Sequence, residues 1–363
     1  MRRVLFILHL PPPVHGAAMV GEMVRELFSA EEGLACRFIN LSTSASLDEI
    51  GKRPLRKMWR TARLLGQVRK GMKEFRPELV YLTPTSRLPG ILKDALVLSI
   101  VRRSGARILL HFHNKGVLDC SRKRWNDRFY RRFFASPVKV ILLSGQLRAD
   151  LGDYVPENRI LICPNGLDIA VCPGEKAETP RLLFLSNLIP SKGYPLLLAA
   201  CSLLKSKGYD FRCRLVGAPT AECSADSLQA EIVRLGLADV VSYSGPRYGD
   251  EKRAILASSD IFVFPTSYPG ECFPLVLLEA MAFSLPVVST CEGAIPDMVI
   301  DGQTGFLLPA PSASGLADRL AALITDEGLR ERMGAAGRSR YESLYTQAVM
   351  SDRLRAIIYE ELV

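Results

Sequence analysis

The sequence predicts an α/β protein of two domains, each built on a parallel sheet. Its 363 residues, 48% hydrophobic and 23% charged, exceed one ordinary core and suit two of about 150–200 residues each. Short runs such as Ile261–Phe264 are apolar on both faces and alternate with helical patterns, as buried parallel strands do. Pro173–Pro180 is polar and strandless, which marks a boundary nearby.

Arg3–Leu10 reads as the first strand. Met1-Arg2-Arg3 before Val4–Leu8 mimics a signal peptide, but the apolar core is short and stops at Pro11-Pro12-Pro13. The chain then turns into a helix, Met19–Phe28. Gly16 would let backbone approach a phosphate or sugar, and a tight strand-to-helix turn explains it equally well. Leu34–Asn40 is a second strand. Residues 52–76 carry ten Lys/Arg and one Glu, with Leu55, Met58, Trp59, Ala62, Leu65 and Val68 at roughly helical spacing. Such a helix reads as a membrane-surface element; an ordinary surface helix packing that stripe on its own domain fits as well.

Glu78–Thr83, the helix Pro89–Arg102 and the strand Arg107–Phe112 follow. The last ends in His111-Phe112-His113-Asn114. Ligands of open α/β sheets sit beyond the carboxyl ends of strands, so both histidines lie at such an end. His111 reads as structural. Residues 122–134 form a second basic and aromatic cluster. Lys139–Ser144 reads as a strand, Gln146–Leu151 as a short helix and Pro164-Asn165-Gly166 as a turn.

Beyond the boundary, Arg181–Ser186 is a strand and Asn187–Gly193 its loop. Phe211–Gly217 and Val240–Ser244 are strands, with the helix Ala225–Leu235 between them. Residues 259–309 are the most informative stretch. Strand Ile261–Phe264 leads into a polar loop, then Glu271-Cys272-Phe273-Pro274 and an apolar run, Leu275–Phe283. Pro274 suits the first helical position, leaving the amides of Leu275, Val276 and Leu277 as donors for a phosphate. Glu279 inside that helix needs a hydrogen-bond donor. Two acids eight residues apart could reach opposite ends of one ligand, and pyrophosphate between them would make it a nucleotide sugar. A buried Glu279 satisfied by backbone amides or an arginine fits the spacing equally. Val287–Ser289 is the next strand. Gly315–Thr325, Glu327–Tyr341 and Thr346–Leu362 read as helices.

These residues resemble the signature of the retaining glycosyltransferases of family 4, with the two-domain GT-B fold. The resemblance rests on Glu271, Glu279, Ala280-Met281-Ala282, Pro286-Val287-Val288 and Asp301-Gly302-Gln303-Thr304-Gly305. It is strong over 159–341 and looser over 1–158. It implies two Rossmann-like domains facing across a cleft: residues 1–168 for the acceptor, 169–345 for the donor, and 346–363 as a helix returning to the first. It also implies roles. Lys192 neutralises the donor diphosphate, Glu271 holds sugar hydroxyls, Glu279 the ribose, and His113 a hydroxyl on the opposite side. Phe273, Pro274, Leu275 and Gly16 contact the donor. The family's usual Arg is Asn187 here, with Arg247 a candidate to take its load. Cys272-Phe273-Pro274 replaces Gly-Phe-Gly, and Phe283-Ser284 replaces Cys-Gly. The expected reaction moves a hexose from a nucleotide sugar to a saccharide or polyprenyl-linked acceptor, with retention, in surface polysaccharide, lipopolysaccharide or glycolipid assembly. An epimerase of the same fold and a non-catalytic sugar- or lipid-binding protein are the alternatives.

Charge locates the expected partners. Residues 1–170 hold 29 Lys+Arg against 15 Asp+Glu, whereas residues 171–363 hold 18 against 23. The basic half points to an anionic partner. Anionic membrane through residues 52–76 and 122–134 is expected; nucleic acid is not, for no zinc-finger spacing or ribonucleoprotein-type strand occurs. No Asp-x-Asp motif indicates a metal, and no cofactor beyond the co-substrate is expected. Nine scattered cysteines without a Cys-x-x-Cys pair suggest reduced thiols, hence a cytoplasmic protein peripheral on the inner membrane face. A dinucleotide dehydrogenase lacks its Gly-x-Gly-x-x-Gly turn.

Overall fold

Two parallel six-stranded sheets organise the chain in the computed structural model, which describes residues 1–12, 16–42, 54–135, 137–175 and 177–363. Residues 52 and 53 and the Leu55 side chain of the basic helix lie outside the described residues, as does Pro13 of the first turn. Internal contacts divide the chain into one unit of residues 1–165 with 350–363 and another of 166–349.

The first unit runs β1 (Arg2–Leu8), α1 (Gly16–Ser29), β2 (Leu34–Asn40), α2 (Pro54–Phe75), β3 (Leu79–Leu82), α3 (Gly90–Arg102), β4 (Arg107–Phe112), α4 (Val117–Ser121), α5 (Arg124–Phe133), β5 (Val138–Leu142), α6 (Arg148–Leu151) and β6 (Ile160–Ile162). Strand order is β2-β1-β3-β4-β5-β6, so the connections reverse direction between β1 and β3. Val4, Phe6 and Leu8 meet Val20, Val24 and Phe28 of α1 and Met350, Leu354 and Ile358 near the C-terminus in one buried cluster. Phe6 stacks on Phe28 at 4.9 Å and on Phe38 at 5.1 Å. Each such side chain contributes about 1.5–3 kcal/mol by leaving water.

In α2 the predicted stripe divides. The buried face is Leu64, Val68 and Met72, whereas Met58, Trp59 and Ala62 face solvent and Leu65 is half-buried. The stripe's start therefore does not pack on its own unit. α2 packs on α3, and the Arg102 guanidinium of α3 donates to the carbonyls of Arg132, Phe133 and Ala135, tying α3 to the end of α5.

The second unit runs β7 (Arg181–Leu185), α7 (Tyr194–Ser206), β8 (Arg212–Val216), α8 (Ala225–Arg234), β9 (Val241–Tyr243), α9 (Gly249–Ala257), β10 (Ile261–Phe264), α10 (Leu275–Ala282), β11 (Val287–Thr290), α11 (Ile295–Met298), β12 (Gly305–Leu308), α12 (Ala313–Thr325) and α13 (Glu327–Leu344). A last helix, α14 (Gln347–Glu360), begins in this unit and belongs to the first from Met350 onward. Strand order is β12-β11-β10-β7-β8-β9. β10 is buried throughout, as its run of apolar residues requires, and pairs with β7 and β11. The chain first builds outward through β8 and β9, then returns to lay β10 on the other side of β7. The switch point between β7 and β10 is where open α/β sheets bind ligands.

Candidate functional site

Two loops leave that switch point. The loop after β7 ends in a tight turn, Pro190–Lys192, closed by Gly193 in the left-handed region at φ +99°. A Cβ there would lie 2.2 Å from the Pro265 carbonyl oxygen, so glycine alone lets the two loops touch. The contact is held by the Ser267 N–H, which donates to the Ser191 carbonyl at 2.7 Å. It brings Lys192 to Glu271: the ammonium donates to Glu271 Oε2 at 2.6 Å and sits 4.4 Å from the Tyr268 ring centre. Glu271 is buried, and Thr266 Oγ1 donates to the same carboxylate oxygen at 3.4 Å. The resemblance implied separate ligand groups for these two residues; the structure pairs them with one another.

The loop of Glu271 is fixed from its other side by a glycine the sequence reading did not single out. Gly293, at φ +58°, lies so close that a Cβ would stand 2.3 Å from the Glu271 carbonyl oxygen. The Ala294 N–H donates to the Cys272 carbonyl at 2.8 Å. The Phe273 side chain is buried, edge-on to Tyr345 at 5.9 Å, so the ring serves packing.

Pro274 does not take the first helical position. Its ψ of 108° is extended, it caps α10, and Leu275 is the first helical residue. The Leu277 N–H is consumed by the Pro274 carbonyl at 3.1 Å. That leaves Leu275 and Val276 as the amides without an intrahelical partner, one fewer than the sequence predicted. At the far end of α10, Ser284 adopts φ +56°. Serine here keeps the left-handed turn that glycine makes without strain, at a cost of about 1 kcal/mol, so this departure leaves the backbone path intact.

Glu279 projects from α10 into a cavity of about 180 Å³, also bordered by Asn187, Arg247, Tyr248, Lys252 and Val276. Its Oε1 accepts from Lys252 Nζ at 2.6 Å, and its Oε2 is buried without a partner. Lys252 lies on α9 and was missed, because one lysine in a charged surface helix carries no sequence signal. The donor demanded by a buried acid is thus a lysine, neither backbone nor arginine. Asn187 is exposed at the cavity edge, and Arg247 reaches toward Glu251 at 3.4 Å.

In the first unit His113 follows β4 directly. Its ring stands 4.1 Å from that of His111, whose Nδ1 lies 2.5 Å from the Tyr81 hydroxyl. Burial pushes the His113 imidazole down to about 4, opposed by the Asn165 side chain beside it, and burial lowers His111 well below the usual value. Both rings are therefore neutral at pH 7. Because burial depresses both, the unfolded chain takes up these protons first; the stability that His113 carries is whole above about 6.5 and is lost as pH falls toward 4, and His111 acts in the same direction. His113 Nδ1 is buried without a partner. Gly16 opens α1 with an ordinary backbone, and a Cβ there would meet nothing within 4 Å. Neither packing nor strain requires glycine at that position.

Residues 171–340 match the glycosyl transferases group 1 family. The chain is 32% identical over 254 residues to D-inositol 3-phosphate glycosyltransferase of Corynebacterium diphtheriae, 66% of this chain and 58% of that one. It is 28% identical over 174 residues to the capsular polysaccharide biosynthesis glycosyltransferase CapM of Staphylococcus aureus, 48% of this chain and 44% of that one. The matched stretches thus span about half the length of the curated relatives. Among solved structures, sucrose-phosphate synthase from Thermosynechococcus elongatus superposes with a TM-score of 0.79 at 18% identity, over 99% of both chains. Anabaena Alr3699/HepE in complex with UDP gives 0.75 at 18%, over 99% of this chain and 100% of that one. At such identities the likeness is one of fold, the two-sheet GT-B architecture that the sequence predicted. The stretch that matches the glycosyl transferases group 1 family, residues 171–340, is thus nearly the whole of the second unit.

Proposed function

We propose that this protein transfers a hexose from a nucleotide sugar to a saccharide or polyprenyl-linked acceptor, with retention of anomeric configuration, in bacterial surface polysaccharide or glycolipid assembly. Glu279 carries the reading. One of its oxygens is held by Lys252 and the other is buried and unpartnered, at a cavity in the stretch that matches the group 1 family. A ribose offers two neighbouring hydroxyl donors to such a carboxylate. Lys192 and the amides opening α10 stabilise the departing diphosphate. Glu271 holds the sugar hydroxyls, and neutral His113 engages a sugar hydroxyl through its free ring nitrogen. The leaving phosphate helps to deprotonate the acceptor on the same face, which gives retention. The UDP and UDP-glucose in HepE crystals, and the polysaccharide role in CapM's name, favour the same class here.

Thermal stability against a panel of nucleoside diphosphates and nucleotide sugars tests this. One diphosphate series should stabilise the wild type by about 2.7 kcal/mol at 100 times its Kd, and Glu279→Ala should abolish the shift. No stabilisation by any member would overturn the reading.

The lipid-linked acceptor rests on a second observation. Met58, Trp59 and Trp125 are 67%, 65% and 85% exposed within the two basic clusters of the first unit. Indole rings beside arginines suit a headgroup interface, and no helix among the described residues is long and apolar enough to cross a membrane. The reading is of a protein peripheral on the cytoplasmic face, and the exposed indoles support its contact with lipid. Binding to vesicles of one-third phosphatidylglycerol should exceed binding to neutral vesicles. It should fall as salt shortens the screening length and weaken in Trp59→Ala/Trp125→Ala. Equal binding to neutral vesicles would rule it out.

A further inference from the structure

We infer that Lys252 is a second cation, beside Lys192, that this protein sets against the donor diphosphate, at the cavity where residue 187 is uncharged. The inference rests on the donor reading above and names a residue that reading leaves without a task. A nucleoside diphosphate brings two or more negative charges, more than one lysine meets, and the basic residues bordering the cavity are Arg247 and Lys252. Lys192 is that one lysine; it is paired with Glu271 at 2.6 Å and lies 4.4 Å from the Tyr268 ring centre. Arg247 is 40% exposed and turned to Glu251 at 3.4 Å. Residue 187, at the same cavity, is uncharged.

Lys252 borders that cavity together with Asn187, so a charge at either position faces the same ligand. Its ammonium holds Glu279 Oε1 at 2.6 Å, and the side chain remains 28% exposed. The four-carbon stem is flexible, so the ammonium can swing between a carboxylate and a phosphate. The exchange is balanced. Ribose hydroxyls arriving at Glu279 donate in place of the ammonium, and the released ammonium donates to phosphate oxygen. With ligand bound, both the carboxylate and the ammonium have partners, which a lone buried acid could not achieve. A lysine that merely neutralised Glu279 would affect nucleoside and nucleotide binding alike. A lysine that reads phosphate affects the diphosphate selectively.

Calorimetric titration separates the two. The probes are the nucleoside, monophosphate and diphosphate of uracil, guanine, adenine and cytosine, against wild type, Lys252→Met, Lys252→Arg and Lys252→Met/Asn187→Arg. Lys252→Met should weaken the preferred diphosphate about 10- to 100-fold, as loss of a charge-assisted hydrogen bond does, and the corresponding nucleoside by less than about threefold. Lys252→Arg should keep the preference for diphosphate. The double variant should recover most of it, since the cation returns from the other wall of the same cavity. Uniform weakening of nucleoside and diphosphate, or none, overturns the inference, as does a double variant no better than Lys252→Met. A wild type that binds none of the probes would instead overturn the donor reading itself.

Discussion

Glu271→Gln is expected to lower turnover by about 100- to 1,000-fold while leaving free nucleoside diphosphate bound as tightly as in the wild type, or more tightly. The size follows from removing one preorganised polar group at the reacting sugar. The split follows from the pair seen here. Glu271 Oε2 lies 2.6 Å from the Lys192 ammonium, with both side chains largely buried. Glutamine keeps the shape but not the charge, so Lys192 loses its counter-ion and seeks another anion. Diphosphate supplies one, whereas the sugar hydroxyls lose their strongest acceptor. Lys192→Met should show the reverse, with diphosphate affinity falling about tenfold or more. Steady-state kinetics beside calorimetric titration of the diphosphate reads both. Turnover within about threefold of wild type in Glu271→Gln would remove that residue from the chemistry.

The stretch from 259 to 309 was legible because its signals are local. An apolar run of four makes a buried strand, the polar loop ends it, and the next apolar run is a helix. What escaped reading depends on contacts between distant residues. Lys252 gained meaning only when α9 was laid beside α10. Gly293 is needed because its loop presses on the Glu271 backbone, which no spacing rule encodes. The α2 stripe was read from periodicity alone, whereas burial was decided by where β2 and α3 lie, so the core face became Leu64, Val68 and Met72. Pro274 was placed one residue too far into α10 because proline's fixed φ suits both positions, and only ψ distinguishes a cap from a first turn. Ser284 shows the converse. Sequence flagged it as a departure, and its left-handed φ is one that glycine adopts without strain.

Gly193→Ala is expected to destabilise the second unit by about 3 kcal/mol or more, against about 1 kcal/mol for Gly208→Ala. The two glycines share a conformation, with φ +99° and φ +80°, so the left-handed strain of an added Cβ is common to both. They differ in surroundings. Nothing lies within 4 Å of a Cβ at 208, whereas at 193 it would meet the Pro265 carbonyl oxygen at 2.2 Å and its carbon at 2.6 Å. Those are backbone atoms, so no rotamer relieves the clash, and the loop after β10 must move. That loop carries Thr266, Tyr268 and Glu271, and its hydrogen bonds to Ser191 are what bring Lys192 to Glu271. Activity should therefore suffer beyond the loss of stability. Measured where both variants remain folded, Gly193→Ala should be slower by about 100-fold, the effect of an ångström's misplacement at a reacting centre, and Gly208→Ala should be near wild type. Urea denaturation gives the stability difference from the midpoints at unchanged slope. Equal midpoints for the two variants would mean that the two loops do not touch in solution. The Lys192–Glu271 pair would then need another support.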